Sequence, residues 1–151
     1  MATLGLALWF AISGLTATAI AQTTTIQETW TPISPLARSV TGRITFTGTA
    51  ITFQNGKSLA LARGGQMLFR PEPKQRHVMA DLYKVTPPDD PVLESGNKLC
   101  KGKPVAYLIV WKPEKTGKES DSRGLAPFSG SKLNGGSPDD CGRYVYDAGS
   151  H

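Results

Sequence analysis

Leu99-Cys100-Lys101-Gly102-Lys103-Pro104-Val105-Ala106-Tyr107-Leu108-Ile109-Val110-Trp111 decides how the rest of this chain is read. From Val105 to Trp111 every residue is apolar or aromatic, and the Val, Ile, Tyr and Trp among them favour a strand. Polar and apolar residues do not alternate, so this strand is expected to be covered on both faces, as in the middle of a packed β-domain. Of the two cysteines, Cys100 lies just ahead of this strand and Cys141 opens the last short one, where Tyr144 and Tyr146 alternate with Val145.

Working outward, the stretch before it reads as two linked hairpins. Ile44 and Phe46 alternate with Thr45 and Thr47, and Ile51 and Phe53 flank Thr52. A two-residue loop at Gly48-Thr49 pairs Phe46 with Ile51 and Ile44 with Phe53, putting all four on one face, and glycine in the first loop position suits a type II′ turn. Gln54-Asn55-Gly56 makes the second turn. A two-residue Asn-Gly loop would slip the register by one and send Leu59 and Leu61 to the wrong face. A three-residue loop with Gly56 last pairs Ile51 with Leu59 and puts glycine where a left-handed residue is needed. Residues 40–62 are thus predicted to be a three-stranded meander with a Thr-rich outer face.

The remaining segments are short. Arg63-Gly64-Gly65 reads as a turn, Met67 to Arg70 as a strand broken by Pro71 and Pro73, and His77 to Val85 as another, stopped by Pro87-Pro88-Asp89-Asp90-Pro91. Lys112 to Gly124 is a charged loop without an apolar face, and Ser131 to Asp140 is a second long loop. Leu125 to Ser129, with Pro127, reads as an edge strand. Residues 22–39, Thr-rich with Pro32 and Pro35, read as an extended lead-in whose Trp30 covers one end of the core. No stretch carries a 3.6-residue apolar period, so little helix is expected.

Residues 1–21 have the layout of a signal peptide: an apolar run from Leu4 to Leu15, then the small-x-small ending Ala19-Ile20-Ala21. Met1 to Leu8 lacks Lys and Arg, and an uncleaved N-terminal anchor is the competing reading. No later segment is long and apolar enough to cross a bilayer. Residues 22–151 are one domain's worth of chain, divided as lead-in 22–39, β-domain 40–147 and tail 148–151. Two cysteines in an exported chain most simply form one disulfide, Cys100–Cys141, worth on the order of 4 kcal/mol in the chain-entropy model.

The net charge of +5 is unevenly spread. Arg38, Arg43, Lys57, Arg63, Arg70, Lys74 and Arg76 face the single Glu72, and Lys98, Lys101, Lys103, Lys112, Lys115 and Lys118 face Glu114. These six lysines are the candidate binding surface. An acidic envelope protein or an anionic polymer fits them better than nucleic acid, because the chain reads as exported and Tyr107 and Trp111 read as core.

No catalytic set emerges. His77 reads as a surface or edge-strand residue, His151 is terminal, and three or four metal ligands do not assemble. Ser95/Lys98 and Ser129/Lys132 share a spacing with penicillin-binding enzymes, but their partner motifs are missing. Asp89/Asp90 and Asp139/Asp140 are adjacent in turns, where carboxylates point apart, and Ser137 to Asp140 lacks the spacing of a calcium loop. No cofactor is expected.

The order Leu82-Tyr83-Lys84-Val85, Pro87-Pro88, Asn97-Lys98-Leu99-Cys100, Pro104-Val105, Phe128-Ser129-Gly130 and Cys141-Gly142-Arg143-Tyr144 resembles small exported bacterial (periplasmic) proteins of an uncharacterised family, over roughly residues 39–147. The resemblance implies export, one domain and the Cys100–Cys141 pair, and attaches no activity. The sequence thus predicts an all-β domain of about seven short antiparallel strands, a small barrel or a sandwich. Its expected role is that of a non-enzymatic periplasmic or secreted binding module; a small-ligand carrier is the alternative, and a cell-envelope hydrolase the least supported.

Overall fold

Two glycine turns set the register of the first sheet. The computed structural model describes residues 26–114 and 121–149; the predicted signal peptide, Lys115 and Lys118 lie outside the described residues. At Gly48, with φ +80°, the chain turns from β2 (Ile44–Phe46) into β3 (Ala50–Phe53), pairing Ile44 with Phe53 and Phe46 with Ile51. At Gly56, with φ +84°, it turns into β4 (Ser58–Phe69), and Ile51 meets Leu59. Both registers are the predicted ones.

Beyond Leu61 the structure departs from expectation. Arg63-Gly64-Gly65 is a bulge rather than a turn, and β4 runs on unbroken to Phe69. Arg63 pairs with Tyr83 and Gln66 with Asp81, so two residues of β4 oppose Leu82 alone. Gly65, with φ +90°, absorbs the kink. One extra residue inverts the faces: Leu59 and Leu61 enter the main core, whereas Met67 and Phe69 point to the other side of the sheet.

The partner strand, β5 (Val78–Asp89), also outruns its predicted end, passing through Pro87 and Pro88. Its pairing with β4 stops at Val85, and its ladder to β6 (Val105–Trp111) slips between Lys84–Tyr107 and Asp89–Val105. The prolines stand in that slip, where no ladder N–H is required.

Strand β6 is covered on both faces as predicted. Val105, Leu108 and Val110 join the main core, while Ile109 and Trp111 join Phe69, Ala80, Ala126 and Phe128 in a second cluster on the opposite face. Strand β7 (Ser122–Phe128) begins earlier than expected and is not an edge. The carbonyl of Pro127 accepts from Cys141 N at 3.0 Å, so its missing N–H points away from β6, toward the side where β8 (Tyr144–Asp147) pairs only as far as Leu125. Gly124 lies opposite Trp111; a Cβ there would come within 2.2 Å of the indole ring, so only glycine lets that ring lie across β7.

The lead-in is not extended throughout. After β1 (Glu28–Pro32) comes α1 (Pro35–Val40), started by the Ser34 hydroxyl accepting from Ala37 N at 3.2 Å and by proline in the first turn. Strand β1 pairs with β2 and β8 and closes an eight-stranded antiparallel barrel in sequence order. Trp30, expected to cover one end, stands inside the core, stacked on Phe46 at 4.7 Å between ring centroids. Thr41, at the end of α1, meets the buried hydroxyl of Tyr146 at 2.8 Å. The Cys100–Cys141 disulfide is formed, tying the turn before β6 to the approach to β8.

Candidate functional site

An open cleft of about 600 Å³ lies between two loops that one arginine bolts together. The first loop links β4 to β5 and contributes Arg70, Pro71, Glu72, Pro73 and His77; the second, residues 129–143, contributes Asn134 to Gly136, Asp140 and Arg143. Arg143 donates from Nε to the Pro71 carbonyl at 2.8 Å and forks onto Asp140 at 2.6 and 3.0 Å. Its guanidinium stands 5.0 Å from the centre of the Phe69 ring and 5.7 Å from that of Phe128, closing the second apolar cluster with a cation–π contact.

Asp140 is fully occupied by this role. Its Oδ1 also accepts from Gly142 N at 3.0 Å and its Oδ2 from Gly136 N at 2.7 Å. Burial pushes its pKa up, but the bonds from Arg143 and the two backbone amides outweigh burial and hold it below the ordinary carboxylate value. Such an aspartate holds a loop together and is a poor proton acceptor. His77 is exposed, and among the described residues no carboxylate lies within salt-bridge reach to orient it. Asp139 and Ser137, considered for calcium, close the loop on itself: Asp139 Oδ2 accepts from Lys132 N and Ser137 Oγ donates to the Lys132 carbonyl. Among the described residues no group of three or more His, Cys, Asp or Glu is placed to hold a metal ion.

The predicted lysines divide. Lys98, Lys101 and Lys103 come together beside the disulfide, on a turn wound around Asp90. Of Asp89 and Asp90, read in the sequence as turn carboxylates that point apart, Asp89 is exposed while Asp90 is buried and accepts from Leu99, Cys100 and Gly102 N at 2.8–3.0 Å. Lys101 takes φ +55° at the apex, and all three lysine side chains are exposed. Lys112 is exposed at the far end of β6, seven strand residues or about 20 Å away.

Clefts continue from the large one in both directions. A recess of about 320 Å³ between Lys103 and Pro138 shares Asp140 with it. A third, about 500 Å³, shares Lys101, Leu99 and Cys141 with the second and reaches Lys98 and Tyr144, whose hydroxyl is pushed up to about 12 by burial, with Asp90 adding to the effect. On the other side, a recess of about 460 Å³ shares Pro71 and is lined by Lys74, Arg76, Trp111 and Glu114. Shared lining residues thus link the four clefts in series, as a segmented trough whose second and third parts lie beside the disulfide. Arg70, Lys74 and Arg76 were absent from the candidate surface read in the sequence; the signal available was the cationic, proline-broken run Arg70-Pro71-Glu72-Pro73-Lys74-Gln75-Arg76.

A different arrangement lies elsewhere in the barrel wall. Arg123, with its side chain only 9% exposed, binds Glu28 at 3.2 Å and also pairs with Asp121. Burial lowers its pKa, but its bonds to these carboxylates raise it above the ordinary value. Glu28 in turn accepts from Trp30 Nε1 at 2.8 Å, and nearby Arg63 pairs with Asp81 at 3.1 Å.

No family model matches the chain, and no curated protein or solved structure matches it significantly.

Proposed function

We propose that this chain is a non-enzymatic exported binding module, periplasmic or secreted, that takes an acidic partner on its outer surface. One observation carries the reading: the barrel interior is filled with side chains, while the clefts outside it carry Arg70, Lys74, Arg76, Lys98, Lys101 and Lys103, which have no ionic partner among the described residues. Trp30, Ile44, Ile51, Leu108, Tyr144 and Tyr146 are all essentially inaccessible in the main core, which argues against a carrier with its ligand inside the barrel. The unoriented His77 and the saturated Asp140 argue against a hydrolase.

The test is capture from the protein's own envelope extract by the purified chain tagged at its C-terminus, at low and at raised salt. A partner retained at low salt and released at about 0.5 M salt is the expected result, since contacts between exposed charges are screened within a few ångströms there. Capture indifferent to salt would remove the basic surface from the account.

A further inference from the structure

We infer that the trough binds a linear polyanion, a polymer of repeating phosphate or carboxylate groups, that lies along both of its halves at once; this rests on the binding-module reading above. The first half carries Arg70, Lys74 and Arg76 on the β4–β5 loop, and the second carries Lys98, Lys101 and Lys103 beside the disulfide. Among the described residues none of the six has a carboxylate within 4 Å. The acids lining the trough are Asp140, neutralised by Arg143, and Glu72 and Glu114; cations outnumber acids in the flanking clefts, while in the large one Arg70 and Arg143 stand against Glu72 and Asp140.

Three features select a polymer over a folded acidic protein. Among the described residues the two central clefts present no exposed large apolar side chain: Ile26, Ile33, Leu68, Met79 and Val92 all lie elsewhere, and Leu36 reaches only the third recess. Protein interfaces instead centre on buried aromatic or aliphatic anchors ringed by polar residues. The charges are strung through four adjoining clefts rather than gathered in one, which suits a ligand that repeats its charge along its length. The floor is also fixed before binding, with Arg143 holding Pro71 to Asp140 and Asp90 holding the amides of residues 99, 100 and 102. The backbone carrying both sets of cations therefore loses little freedom when a chain docks. Two half-sites on one rigid body make the second contact intramolecular, so affinity should climb with polymer length until both halves are filled.

Binding of fluorescent inorganic polyphosphate and of polygalacturonate to the purified chain, measured by anisotropy, tests this. Long polyphosphate should bind at least tenfold more tightly than tripolyphosphate at equal phosphate concentration. The triple variants Arg70→Glu/Lys74→Glu/Arg76→Glu and Lys98→Glu/Lys101→Glu/Lys103→Glu should each weaken long-polymer binding at least tenfold with unchanged melting behaviour. Each should also flatten the dependence on length. The control Arg43→Glu/Lys57→Glu/Lys84→Glu makes the same charge change on exposed cations outside the trough and should cost threefold or less. Equal loss in the control, or a short phosphate binding as well as the long one, would overturn the proposal. An acidic protein captured through the same six residues, with neither polymer bound, would overturn the polymer while leaving the binding module intact.

Discussion

Arg123 and Lys101 carry the same charge into opposite circumstances. Arg123 lies in the barrel wall, where an unmatched charge would be costly, and Glu28 and Asp121 answer it. Lys101 stands exposed on a turn, with no carboxylate within 4 Å of its ammonium among the described residues, and its five companions in the trough are likewise exposed and unpaired there. Solvated charge costs the fold almost nothing, so the trough can keep its cations unpaired and still be built on a rigid frame. The matched cations hold this molecule together; the unmatched ones are available to a partner.

The sharpest way to break this contrast is to cut the frame under the unmatched set. Reduction of Cys100–Cys141, or Cys141→Ser, should lower stability by about 4 kcal/mol, read from urea unfolding, because the loop it closes spans 41 residues. Without reductant, an alkylating reagent should label neither cysteine of the folded protein. Next in size is Arg123→Met, which removes the ion pairs to Glu28 and Asp121. Both carboxylates reach water, so the loss should be about 2 kcal/mol, with polyanion binding unchanged. A comparable fall in binding would mean that the two regions are not separate.

Asp140→Asn probes the matched pair beneath the trough and should cost about 1 kcal/mol at pH 7. Because the folded protein holds Asp140 below its unfolded pKa, that contribution is fully present above about pH 4 and fades as pH falls through the folded value. Thermal melts of wild type and variant should therefore converge on acidification, and a gap that persists at low pH would show that charge is not its origin. Smallest of all, Lys101→Gly should leave stability within about 0.5 kcal/mol of wild type, since glycine tolerates the positive φ, while weakening polymer binding measurably.

The sequence disclosed what local chemistry decides. Gly48 and Gly56 each combine a turn preference with alternating neighbours, and together these leave one register open. The cysteine pair and Lys98, Lys101 and Lys103 were likewise legible, being close in sequence to the strand they flank. Gly64-Gly65 was misread because a glycine pair signals an unusual backbone without saying whether the chain reverses or continues. Pro127 was misread because its tolerance depends on where β8 stops pairing, and that is settled by a strand farther along the chain. Arg70, Lys74 and Arg76 were missed for the same reason on a larger scale. They join the trough through the bond from Arg143 to the carbonyl of Pro71, 72 residues away, and no spacing rule spans that distance.

The bulge at Gly64-Gly65 has a further consequence. A strand repeats every two residues, so one added residue is a half-period phase slip, and everything downstream changes sides. Upstream of the slip β4 supplies Leu59 and Leu61 to the barrel; downstream it supplies Phe69, the ring beneath Arg143. The trough's floor therefore depends on a count of residues as much as on their chemistry. A single-residue deletion there would restore the phase and turn Phe69 away from Arg143 without altering one trough side chain.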